Sequence, residues 1–164
     1  MATTHVVTEH VDLVSTKDFE ATVRGLEAAL GNASPGELMQ RLAASDDWDD
    51  YAAQCAALAG SSGLIQVGHL DWGGVLSLSG VAMKARCFIV GNPLTAQKLL
   101  ATGGPQAGLY LPAKVLVFED AKGSVHLAYD TFVPIMAPFG IEALDRMAAK
   151  IDDVLDGLVQ AAAG

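Results

Sequence analysis

His69 and Asp71 are the residues whose types and spacing best suit chemistry. They stand at i and i+2 in a run, residues 64–72, that reads as a strand, so both side chains are expected on one face together with Ile65 and Val67. An imidazole beside a carboxylate can serve as a general base, its pKa raised and its tautomer set by the acid. The plainer expectation is a polar sheet edge on which the two satisfy each other or water. His126 is a second candidate. In residues 124–130 it shares a strand face with Ser124, Ala128 and Asp130, and with His69 across a sheet it would offer an alternative, haem or metal. No His-x-His and no acid-rich ligand set accompanies it, so no cofactor and no metal site is expected. Asp46, Asp47, Asp49 and Asp50 suit the positive end of a helix better than a cation.

Other residues suit binding. Trp72, Tyr110, Phe118 and Tyr129, with Phe132, could line an apolar cavity between a sheet and its helices, or simply fill a core. Arg86, which shares a strand face with Lys84 and Phe88, is either a solvated edge charge or a counter-charge for an acidic ligand. Asn92 stands in Gly91-Asn92-Pro93, where glycine permits a tight joint, asparagine caps and proline suits the first helical position. A helix start of this kind can seat an anion, though capping alone explains the residue. No GxGxxG, Walker or Gly-x-Ser-x-Gly pattern is present. Cys87 falls on an apolar strand parity with Met83, Ala85 and Ile89, where a thiol is inert, and Cys55 has no adjacent base.

These residues need elements to position them. Residues 6–14 alternate as a half-buried strand, and Ser15, with Asp18 three residues on, opens a helix that closes at Gly31-Asn32. Ser34-Pro35 and Asp46-Asp47 open two more helices. Strands are read over 64–72 and 83–90, a loop or short helical turn over 75–80, a helix over 93–101, a hairpin of 113–119 with 124–129, and a long amphipathic helix over 141–162. The order implies an α+β protein: a mainly antiparallel sheet of about five strands with helices packed on one face.

The chain has 164 residues, enough for one domain with its own core. Ten Lys and Arg against 19 Asp and Glu give a net charge of −9, which disfavours nucleic acid and anionic membranes as partners. Two distant cysteines, no signal-peptide pattern and no spanning apolar run point to a cytoplasmic protein.

The run Ile89-Val90-Gly91-Asn92-Pro93, then Gly108-Leu109-Tyr110-Leu111-Pro112, then Leu116-Val117-Phe118-Glu119-Asp120 resembles the bacterial and archaeal family called domain of unknown function 302. The resemblance covers about residues 64–135. It implies a small α+β fold similar to the TATA-binding-protein-like class, often dimeric, and no established reaction. Residues 31–63 look like a helical insertion relative to the shortest members. Some relatives carry cysteine just before Asn-Pro and just after Leu-Pro. Gly91 and Ala113 stand there in this chain, so thiol or metal chemistry does not transfer.

Two function classes follow. One is a protein that binds a small, largely apolar molecule, extending to a cofactor-free enzyme using His69 and Asp71. The other is a non-catalytic homodimeric interaction module.

Overall fold

Alternation along the central strands divides their side chains into a buried and a less buried set, and this fixes the layers. The computed structural model describes residues 3–164. The strands are β1 (His10–Val14), β2 (Gly31–Asn32), β3 (Ile65–Asp71), β4 (Ala85–Gly91), β5 (Ala113–Glu119) and β6 (Val125–Asp130). The helices are α1 (Phe19–Ala29), α2 (Pro35–Ala44), α3 (Trp48–Leu58), α4 (Trp72–Ser77), α5 (Pro93–Gly103), α6 (Phe132–Met136) and α7 (Glu142–Ala163).

The strands form one sheet in the order β1-β6-β5-β4-β3-β2. Every pairing is antiparallel except β2 with β3. The α+β expectation holds, with six strands in place of about five. The extra one, β2, has two residues and lies where the glycine and asparagine that end α1 were expected to be only a terminator. Its pairing is a backbone matter: Gly31 N–H donates to Leu64 and Ala33 N–H to Gln66. A Cβ at Gly31 would fall on the Leu58 carbonyl, so only glycine lets α3 end against this edge.

Phe88, Val90, Val115, Val117, Leu127 and Tyr129 all point into the main core. Val23 and Leu26 of α1 meet them there, with Leu144, Leu155, Leu158 and Val159 of α7. Of the stripe that periodicity predicts on the long helix, Leu144, Leu155 and Leu158 are buried, Met147 and Ile151 half-buried and Val154 exposed. At the α1–α7 crossing Gly25 faces Ala162, where an added Cβ would stand 3.1 Å from the Ala162 carbonyl oxygen; the two small residues allow the close approach. Asp18 is the N-cap of α1, accepting from Ala21 N–H at 2.7 Å. Ser15, expected to open that helix, instead contacts the Thr22 hydroxyl at 2.8 Å and binds the Ala163 carbonyl at the end of α7.

β3 carries an irregularity. Gln66 pairs with Val90 and Gly68 with Ile89, leaving Val67 as a bulge. Parity is therefore broken across it. Ile65 pairs with Gly91 and faces away from the main core, while His69 pairs with Phe88 and faces toward it. The face shared by Ile65, Val67 and His69 in a regular strand does not exist; Gln66 joins His69 instead, its Nε2 lying 3.3 Å from His69 Nδ1.

Candidate functional site

The β4–α5 joint is built by Asn92. Its Oδ1 accepts from Leu94 N–H at 2.8 Å, which caps α5, and its Nδ2 donates to the Gly63 carbonyl at 2.7 Å. One side chain thus ends a strand, starts a helix and ties both to the loop before β3. Against this joint lies the turn before β5, with a cis Leu111–Pro112 peptide. A Cβ at Gly91 would meet the Pro112 Cβ at 3.1 Å.

Between these segments and α7 is a cavity of about 300 Å³. Gly91, Asn92 and Pro93 form its edge, Leu111, Pro112 and Ala113 face them, and Ile151 and Leu155 come from α7. Leu38, Leu64, Val67, Val90, Ala96 and Phe132 complete an almost wholly apolar wall. The side-chain polar groups there belong to Asn92, already spent on two backbone partners, and to Thr95. A volume at the lower end of small-molecule sites, with apolar walls and few polar groups, suits a compact greasy ligand.

His69 and Asp71 lie elsewhere. They share a face, as their spacing implied, and both are exposed. No hydrogen bond joins them among the described residues. Asp71 is instead the N-cap of α4, accepting from Gly74 N–H at 2.9 Å, and its register partner is Arg86. Arg86 lies 3.9 Å from Glu27 of α1. Trp72 is exposed at the start of α4. Tyr110 packs edge-on against Phe139 and lines a second hollow beside the cavity, with Lys114 and Asp130. Tyr129 is a core residue whose hydroxyl donates to Asp156 at 3.3 Å; burial first, then that carboxylate, pushes its pKa up to about 12.

His126 and Phe118 sit together on the opposite sheet face. Their rings stack at 4.8 Å between centroids, 14° from parallel. Asp12 Oδ1 lies 2.7 Å from His126 Nδ1, and Asp120 Oδ2 lies 3.6 Å from Nε2. The hydrogen bond to Asp12 raises the imidazole pKa, burial opposes it, and the charges of both carboxylates add to the rise. The two acids on either side of the ring favour its charged form over the neutral one. Among the described residues no group of three or more His, Cys, Asp or Glu side chains is arranged to hold a metal ion. Nor is any helix long and apolar enough to cross a membrane.

Residues 40–162 match the family model described as Domain of unknown function DUF302. The chain belongs to that family. The crystal structure of an uncharacterized conserved DUF302 protein from Bacillus stearothermophilus has a similar fold, with a TM-score of 0.67 over 93% of this chain and 97% of that one, at 17% identity. No curated protein matches the sequence.

In this DUF302 chain two of the three runs that carried the family resemblance reach the cavity, through Val90, Gly91, Asn92 and Pro93 and through Leu111 and Pro112, while Leu116 to Asp120 lie outside it. Gly91 and Ala113, where cysteine was noted in some relatives, both line it. Thr95 and Ala96 were missed as site residues because a threonine or alanine early in a helix looks like filler, and Ile151 because an apolar residue on the stripe of α7 looks like core. Asp12 was missed because it reaches His126 from 114 residues away.

Proposed function

We propose that this protein binds a small, largely apolar molecule in the cavity between the Gly91-Asn92-Pro93 joint, the Leu111–Pro112 turn and α7. The observation that carries the reading is the cavity itself: about 300 Å³, walled by aliphatic side chains, in a fold whose central core is otherwise filled by Phe88, Leu99, Met136 and Leu144 at full burial. An apolar probe losing roughly 200 Å² of accessible surface there gains about 5 kcal/mol at about 25 cal/mol per Å², before ordering costs. The reading is one of binding. His69 and Asp71 lie outside this cavity, and the Asp71 carboxylate is engaged in a cap.

The test is a fluorescence titration with N-phenyl-1-naphthylamine, a neutral apolar probe. Saturable binding is expected in the native protein and at least a tenfold loss in Ala96→Phe, which fills the cavity from α5, with the melting temperature moved only slightly. Absence of saturable binding, or undiminished binding in the variant, would sink the reading.

A second reading has its own observation. Cys87, Ile89, Leu116, Phe118 and Ala128 lie on the sheet face that the main core does not include. In the segment that joins β3 to β4, Trp72, Val75, Leu78, Val81 and Met83 are exposed, Leu78 at 91%. A second copy covering this surface would make a homodimer. Sedimentation velocity of the native chain and of Leu78→Asp tests it: a dimer that dissociates in the variant is expected, and a monomeric native chain refutes it.

A further inference from the structure

Charge is distributed unevenly along this chain. Although 19 of its residues are acidic, none lies between Asp71 and Glu119, whereas Lys84, Arg86, Lys98 and Lys114 do. That acid-free segment supplies the cavity's joint, its facing turn and all of α5.

A hollow of about 390 Å³ adjoins the cavity and shares Leu64, Thr95 and Ile151 with it. Lys98 from α5 and Lys150 from α7 both line this hollow, and no carboxylate side chain does. Lys84 is paired with Glu119 and Lys17 donates to the Ala162 carbonyl, but neither Lys98 nor Lys150 has a carboxylate within ion-pair distance among the described residues. Of the ten cations, only Arg41, Lys84, Arg86 and Arg146 form ion pairs among the described residues; what sets Lys98 and Lys150 apart is that they share one hollow whose lining carries no carboxylate, in a protein of net charge −9. The hollow lined by Lys114 differs, for Asp130 lines it too. Thr95 stands where cavity and hollow meet, and its hydroxyl has no hydrogen-bond partner among the described residues.

We infer that the ligand is an amphiphile with an anionic head: its apolar body fills the cavity, and its carboxylate or similar group lies in the adjoining hollow between Lys98 and Lys150, within reach of the Thr95 hydroxyl. This rests on the binding reading above and adds the chemical class of the ligand. Exposed ammonium groups are suited to such a head because each is a compact charge on a flexible stem that can follow it.

The experiment is calorimetric titration of the full chain with decanoate and with decanol, which share an alkyl chain length and differ in charge, at low ionic strength. Decanoate is expected to bind about fivefold more tightly than decanol, the scale of a modest exposed ion pair. In the double variant Lys98→Gln, Lys150→Gln that advantage should vanish while decanol binds as before, which also shows that the variant is folded. Added salt should narrow the difference in the native chain. Equal affinities in the native protein, or an advantage that survives in the variant, overturns the inference and leaves the apolar site standing. Failure of both compounds to bind the native chain removes the binding reading itself.

Discussion

Asp152 caps a helix to which it does not belong: its Oδ1, on α7, accepts the backbone N–H of Phe132, the first residue of α6, at 2.6 Å. Its other oxygen accepts from Val133 N–H at 3.0 Å. Thr131, the local cap position, makes no side-chain bond to the helix. A five-residue helix has little stability of its own, so this tertiary cap sets where Phe132, a cavity wall, stands.

Removing that carboxylate should therefore cost both stability and binding. Asp152→Ala leaves two amide groups without partners and is expected to destabilise by about 1–2 kcal/mol in urea denaturation, with weaker uptake of an apolar probe. Burial, outweighing the two amide donors, raises the pKa of the Asp152 carboxyl from its ordinary value. Asp152→Asn, which keeps an acceptor and drops the charge, should lose less than the alanine variant. Equal losses would show that the charge is what matters.

Asn92 can be dissected in the same manner. Asn92→Ala removes the α5 cap and the tie to Gly63, and about 1–2 kcal/mol should be lost. Asn92→Asp retains a capping oxygen but places a carboxylate against the Gly63 carbonyl. It is expected to keep α5 helical yet weaken ligand binding through the displaced 63–64 loop. Amide hydrogen exchange at Leu94 and at the loop separates the two effects.

His126 gives the fold a pH dependence with a definite sign. Its folded pKa lies above the unfolded value of about 6.5 because Asp12, then Asp120, favour the charged ring. The contribution is thus fully present below about pH 6.5 and is lost as pH rises through the folded value. Denaturation midpoints of the native chain should fall across that window relative to His126→Gln. Identical pH profiles for the two proteins would contradict the assignment.

Cys87 should be unreactive in the folded protein. Burial raises its pKa, and the charge of Lys114 only partly offsets this. Cys55 is also buried. Disulfide-exchange reagents are expected to label both thiols in denaturant and neither appreciably without it.

Local grammar made much of this fold legible. Gly91-Asn92-Pro93 specified a strand-to-helix joint because each residue type has one conformational use there, and the stripe of Leu144 to Leu158 specified a helix lying on a sheet. Less could be read where partners come from afar. His126 had visible neighbours on its own strand, but Asp12 arrives from β1, the strand that pairs beside it. His69 and Asp71 were correctly placed on one face, yet the carboxylate was claimed by Gly74 N–H, since a free helix start three residues on competes for the same oxygen. β2 left no pattern at all, being two residues held by main-chain bonds. The Val67 bulge had one local sign, the glycine at position 68 inside a strand pattern, but that sign does not say which neighbour will be left without a cross-strand partner.

Val67 is in effect a detour of one residue. Its neighbours, Gln66 opposite Val90 and Gly68 opposite Ile89, continue the ladder as though it were absent. Excising it would shorten the chain without reversing any other side chain. Yet it would remove part of the wall that faces a guest molecule, so a backbone shortcut could reshape the chamber and leave the sheet's pairing intact.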